Sequence, residues 1–237
     1  MESEKVINQW NNAAKSYSEN QRTSPNNITN WQILKELLGD VKNKIVLDAG
    51  CGDGCFSNQL KNLGAKVFAC DGSKGLLKIA QNDFPEISFK QCNLTQNLPY
   101  QDASFDIVVS SLVLMDIDNV DKFFSESARV LKSGGRLIFS ITHPCFFPAE
   151  WERDQNNERL YKKIKDYWNL SKETLEIWGE TTHYHRPITW YSNLLKKYGF
   201  LIEQIQESPE DKDVFEQMKP HQKKLPLFIC FSCLKRA

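Results

Sequence analysis

Three glycines on alternate positions, Gly50, Gly52 and Gly54, end the stretch "KIVLDAGCGDGCF" at residues 44–56, with Asp48 just before them and Asp71 further on. Glycine permits positive φ and lets a ligand reach main chain that a β-carbon would hold away, and a helix starting near Gly54 offers free N–H groups. The turn is shaped for a ligand. A dinucleotide fingerprint would need its third glycine at position 55, where Cys55 stands, and no Gly-Lys-Ser/Thr follows to make a phosphate loop. A carboxylate such as Asp48 repels a diphosphate but attracts an ammonium or sulfonium. Asp71 closes "VFACD", the position from which a carboxylate accepts both hydroxyls of a ribose.

Such residues need a scaffold, and the surrounding sequence supplies one. Residues 3–19 and 28–39 read as helices, with Trp10, Ala14 and Tyr17 on one face of the first and "RTSPNN" as a loop between them. From Lys44 strands and helices alternate: "KIVLDA", "CFSNQLKNLG", "AKVFACD", "SKGLLKIAQNDF" capped by Ser73, "ISFKQCN", "FDIVVSS", "NVDKFFSESARVLK", a turn at "SGG", and "RLIFSIT". This order predicts a doubly wound α/β fold with a parallel sheet covered on both faces. The alternation stops after Thr142, where residues 143–186 are aromatic and irregular. "RPITWYSNLLKKYGF" then reads as a helix, and "FLIEQIQE" and "LPLFICFSCL" as two strands joined by a polar loop, an antiparallel hairpin at the sheet edge.

Thirty basic and 30 acidic residues balance, so composition points to small substrates rather than nucleic acid or an acidic membrane. No apolar run approaches the roughly 20 residues of a membrane span, and the first residues lack a secretory pattern, so a cytoplasmic location is expected. Seven scattered cysteines suit free thiols. Cys230 and Cys233 form a CxxC, but inside an alternating apolar strand, where core packing is the expected role. No metal is expected.

The segments "VLDAGCGDG", "VFACDGSKGLLKIA", "FKQCNLTQNLPYQDASFDIVVSSLVLMDI" and "ESARVLKSGGRLIFSI", spread over residues 44–142, resemble the class I S-adenosylmethionine-dependent methyltransferases, in particular the type 11 group. The resemblance implies a Rossmann-like seven-stranded, mostly parallel sheet with helices on both faces and an antiparallel C-terminal hairpin, and S-adenosyl-L-methionine as cofactor. It implies that Gly50, Cys51 and Gly52 approach the methionine part and that Asp48 helps hold its ammonium. Asp71 would grip the ribose, with Gly72 and Leu76 beside the adenine. Asn93, where the family usually has Asp, would accept from the adenine amino group through its amide oxygen, and Leu94 would offer a backbone N–H. Ser110 and Ser111 would border methionine and acceptor. Tyr17 resembles an N-terminal tyrosine that closes over the methyl group, with helix packing as its competing reading. One domain would span residues 1–237, with 1–43 as a helical lid and 143–190 as a cap lining the acceptor pocket.

Methyl transfer from a sulfonium is a direct displacement, and a base is needed only where the acceptor must lose a proton. His143, after the fifth strand, is one candidate. His183 and His185 lie two apart on an extended segment, and one of them at most is expected to serve the pocket; His185 is the candidate advanced, and Arg186 beside it would pair with an acceptor carboxylate or phosphate. "NLPY" at 97–100 and "HPC" at 143–145 resemble motifs of DNA-base methyltransferases but lie at the wrong strands, which argues against DNA. The expected reaction is methyl transfer to an oxygen or nitrogen of a small molecule. RNA modification, tRNA included, and a non-catalytic cofactor-binding partner are the alternatives. Oligomeric state is left open.

Overall fold

The computed structural model describes residues 2–147, 149–207 and 225–236 of the 237-residue chain. Two helices lead, α1 (Glu2–Gln21) and α2 (Pro25–Leu38). The alternation follows as β1 (Ile45–Ala49), α3 (Cys55–Asn62), β2 (Lys66–Asp71), α4 (Lys74–Asp83), β3 (Ser88–Gln91), β4 (Phe105–Ser111), α5 (Val120–Val130) and β5 (Leu131–Thr142). Two short hairpins come next, β6 (Glu150–Arg153) with β7 (Arg159–Lys163) and β8 (Ser171–Leu175) with β9 (Thr181–His185). Helix α6 (Ile188–Lys197) and strands β10 (Phe200–Glu207) and β11 (Phe228–Lys235) complete the order. The polar loop expected between the last two strands falls at 208–224, outside the described residues.

The main sheet has seven strands in the order β10-β11-β5-β4-β1-β2-β3. Strands β1 to β5 run parallel, while β11 pairs antiparallel with β5 and β10. The fold is the Rossmann-like one expected. Its strand order reverses between β1 and β4, and ligands of such sheets sit beyond the carboxyl ends at that reversal. Runs such as "IVLDA" and "FDIVVSS" are apolar on both sides because both faces are covered. Helix α2 buries Ile33, Leu34, Leu37 and Leu38 against Val46, Val109 and Ile138 on one face. On the other, α5 and α6 bring Phe123, Phe124, Tyr191 and Leu195 onto Leu47, Val108 and Phe139. Cys230 and Cys233 are fully buried strand residues, one in each of these two layers.

Three local expectations change. The loop reading of "RTSPNN" is too long, because Ser24 stands at the N-cap and Pro25, whose ring fixes a helical φ, occupies the first turn. The turn at "SGG" is a bulge inside β5: pairing jumps from Phe105–Leu131 to Ile107–Arg136, and Gly134 takes φ +72°. The irregular stretch after Thr142 contains two hairpins whose strands are too short to show a period.

Glu126 of α5 fixes the turn that precedes β4. Burial would raise its carboxyl, but bonds from Arg129, the Leu98 N–H and Lys122 prevail and hold it at about 2. The folded-state value lies below that of the free side chain, so its stabilising contribution is present above pH 4.5 and is lost as pH falls toward 2. Glu126→Gln is expected to lower stability at pH 7 by about 3 kcal/mol and to flatten the acid limb of a urea-melt series between pH 5 and pH 2.

Candidate active site

At the carboxyl ends of β1, β2, β4 and β5 lies a cavity of about 470 Å³. Its floor is the glycine turn. Gly50 has φ +83° and Gly52 φ +54°, and the Gly50 and Cys51 N–H groups donate to the Cys70 carbonyl, which ties the turn to β2. Asp71 holds it from the side: its Oδ2 accepts from the Gly52 N–H at 2.9 Å and its Oδ1 from the Ser73 N–H at 2.7 Å. Burial pushes the Asp71 carboxyl up, and the N–H groups of Ser73, Gly52 and Gly72 oppose that shift.

The roof is made by α1 and the β8–β9 hairpin. Asn11 of α1 accepts from Ser73 Oγ and the Gly75 N–H, and a β-carbon at 75 would come within 3.0 Å of Ala14, so α1 and α4 cross closely only with glycine there. Asp53 in the glycine turn accepts from Ser18 Oγ at 2.8 Å and Arg22 Nε at 3.1 Å, pinning the far end of α1. Gln9 donates to Glu180 and accepts from Thr182, joining α1 to the hairpin. The rings of Trp10, Tyr17 and Trp178 pack into one cluster with centroids 5.2–6.0 Å apart. Within residues 1–43, α1 covers the cavity and the first turn of α2 reaches it through Asn26 and Asn27, while the rest of α2 packs on the sheet.

The cavity brings together Tyr17, Gly50, Gly52, Asp71, Gly72, Leu76, Asn93, Leu94 and Ser111 of the residues expected from sequence. The Asn93 oxygen accepts from the Thr95 N–H and hydroxyl, bonds with which an adenine amino group would compete. Ser110 is buried and donates to the Ala49 carbonyl, linking β4 to β1 without lining the cavity. Cys51 packs with Ala69, Leu77 and Ile87 on the far side of the turn. Burial and the charges of Asp53, Asp71 and Asp116 oppose ionisation of the Tyr17 hydroxyl, so it stays a neutral donor.

Asp48 is 1% exposed and lies two residues before Gly50. Its Oδ2 accepts from Ser57 Oγ at 2.5 Å, and its Oδ1 is buried with no partner. Asp48 does not line the cavity, so its unpaired buried oxygen, behind the glycine turn, fits a ligand ammonium reached through a bridging water or a small shift of the turn. Burial pushes Asp48 up to about 7, the Asp71 charge adds to this, and the Ser57 bond opposes it. Holding an ammonium requires the ionised form, so affinity for a ligand amino group is expected to fall about tenfold per pH unit below 7. Calorimetry from pH 5 to 8 checks this, and Asp48→Asn should remove the slope. In the ligand-free protein the sign is opposite: the folded-state value lies above the ordinary 3.8, so this group's contribution to stability is greatest below pH 4 and declines as pH rises through 7.

Two of the proposed bases are elsewhere. His143 is buried outside the cavity, with Nε2 2.7 Å from Glu207 and Nδ1 accepting from the Cys145 N–H, so it ties β5 to β10. His185 contacts the Tyr167 carbonyl at 2.9 Å, also away from the cavity. His183, two positions earlier and on the same face of β9, lines the cavity together with Thr181, whereas His185 ends the strand beyond it. Arg186 is buried, donates to the carbonyls of Leu114, Ile117 and Asp118, and packs over Tyr184 and Trp190, so it braces the loop after β4 rather than meeting an acceptor. Trp178 lines the cavity from the aromatic segment expected to cover the acceptor, whereas sequence reasoning missed Asp116 and Thr142. Asp116 and Thr142 were findable, since each sits at or just past the end of a central strand.

The methyltransferase domain family matches residues 47–139. A protein of Listeria monocytogenes, assigned as an S-adenosylmethionine-dependent methyltransferase, has a structure with TM-score 0.78 and 30% identity, covering 89% of this chain and 98% of that one. A Mesorhizobium loti S-adenosylmethionine-dependent methyltransferase gives TM-score 0.79 at 25% identity, with 90% and 100% covered. The demethylmenaquinone methyltransferase of Tropheryma whipplei is 35% identical over 122 residues, 50% of each chain. The chain spans half or less of the length of the curated relatives it matches first. With this fold and this glycine turn, the chain belongs to the S-adenosylmethionine-dependent methyltransferases. It is thus an enzyme that uses S-adenosylmethionine.

Proposed function

We propose that the chain transfers the methyl group to a nitrogen or oxygen of a small molecule by in-line displacement. The observation that carries this reading is the cavity itself: its floor of Gly50, Gly52 and Asp71 and its roof of Trp10, Tyr17 and Trp178 face one space with apolar walls. The cofactor supplies an activated methyl on a sulfonium, and the protein's part is orientation, which is worth several kcal/mol. Asp71 takes the ribose hydroxyls, Gly50 and Gly52 lie along the methionine part, and Asp48 stands under its amino group. Gly72, Leu76 and Leu94 line the adenine end. Tyr17 closes over the methyl as a neutral wall, and the hairpin β8–β9 covers the acceptor.

The free thiols of all seven cysteines accord with a cytoplasmic setting, and no helix among the described residues is long and apolar enough to cross a membrane. No lysine or arginine stands among the described lining residues, which favours a small acceptor over RNA. The test is incubation with methyl-labelled cofactor and cell extract, followed by separation of metabolites, RNA and protein. Label in the small-metabolite fraction is expected. Label confined to RNA or protein would overturn the small-molecule reading.

A further inference from the structure

Asp71 ends β2 and Thr142 ends β5, three strand spacings apart, or about 14 Å. At the Thr142 end His183, 4% exposed, points into the cavity from β9. Its Nδ1 lies 3.6 Å from Asp116 Oδ1, its Nε2 3.3 Å from Thr142 Oγ1, and Phe147 packs on the ring at 4.9 Å. With the ring proton on Nδ1, directed at Asp116, the Nε2 lone pair is left facing a long bond to a cavity-lining hydroxyl, which an incoming group can replace. Asp116 and Asp118 line the same end, beside the aromatic rings of the roof.

Building on the methyltransferase reading above, we propose that the acceptor is a small amine, held as its ammonium by Asp116 and the aromatic wall, and that His183 is the base that deprotonates it. Carboxylates and aromatic faces attract a cation and give an acceptor carboxylate or phosphate no counter-charge. The guanidinium of Arg186, near Asp116, directs both terminal nitrogens to the backbone carbonyls of Leu114, Ile117 and Asp118. In the step, the ammonium passes one proton to His183 Nε2. The freed nitrogen lone pair forms the N–C bond to the methyl carbon as the C–S bond breaks, and that electron pair stays on sulfur. The products are the N-methylated ammonium and a neutral thioether. The imidazolium, facing the Asp116 carboxylate, then returns its proton to water. The charged groups facing His183 are Asp116 from the loop after β4 and Glu173 on the paired strand β8, with Arg186 acting on Asp116.

The test uses the full chain loaded with S-adenosylhomocysteine and three shape-matched probe pairs: benzylamine and benzoate, phenethylamine and phenylacetate, tryptamine and indole-3-acetate. Binding is followed by calorimetry and tryptophan fluorescence. At least one amine is expected to bind about tenfold or more tighter than its carboxylate partner. With labelled S-adenosylmethionine, that amine should be methylated. His183→Ala should slow transfer by about 10²–10⁴-fold at pH 7, with the loss shrinking as pH rises and the amine becomes neutral unaided. A purely structural role for His183 would give a loss independent of pH, and S-adenosylhomocysteine affinity in the variant reports its folding. Equal or tighter binding of the carboxylates, or no binding of any probe to the loaded protein, would overturn the proposal. Failure of S-adenosylhomocysteine itself to bind would instead remove the reading on which it rests.

Discussion

Gly50→Ala is expected to abolish measurable cofactor binding. Two penalties coincide at this position. The backbone sits at φ +83°, where an L side chain costs about 1–2 kcal/mol. A β-carbon there would also lie 2.5 Å from Val113 Cγ2 and 2.7 Å from Cγ1, well inside contact distance, so the turn or the loop after β4 must shift. Overpacking of this kind costs about 1–3 kcal/mol more. The displaced main chain is the surface the ligand would lie along, so the loss falls on affinity as well as stability. Gly39→Ala is the control: φ is +60° with nothing within 4 Å of the added carbon, so it carries the conformational penalty alone. The double substitution Gly50→Ala with Val113→Ala should recover the steric part only, as read by thermal melts and calorimetric titration.

Asp71→Ala should weaken cofactor binding by about 1.5–3 kcal/mol, roughly 10- to 150-fold, through lost charge-assisted bonds to the ribose. It should also destabilise the protein by about 2 kcal/mol, because the Gly52 and Ser73 N–H groups lose their acceptor. Asp71→Asn keeps a side-chain oxygen but turns an amide donor toward one of those N–H groups, so an intermediate loss is expected. Calorimetry on both variants separates the two roles. Wild-type affinity in Asp71→Ala would remove this residue from the site.

Much of the scaffold was legible because its signals are local. The buried strands are continuous apolar runs, Ser73 caps α4 in the expected way, and the glycine spacing announced its turn before any contact was known. The parts that were not legible depend on contacts distant in sequence. That His143 serves Glu207 rather than an acceptor depends on β10, some 64 residues later. His183 and His185 share one face of β9, so which of them lines the cavity depends on how far along the strand the cavity reaches, and the strand period leaves no mark of that. Arg186 looked like an anion ligand because its backbone carbonyl partners, 68 to 72 residues earlier, leave no mark in sequence. Asn93 is a subtler case: the residue lines the cavity as expected, but Thr95, two positions on, occupies its oxygen.

The most direct measurement is a calorimetric titration of the folded chain with S-adenosylhomocysteine, repeated at pH 6 in buffers of different ionisation enthalpy. One equivalent should bind, with a proton released as Asp48 ionises beneath the ligand's amino group, and the release should vanish in Asp48→Asn. Heat from a nicotinamide dinucleotide, with none from S-adenosylhomocysteine, would contradict the account.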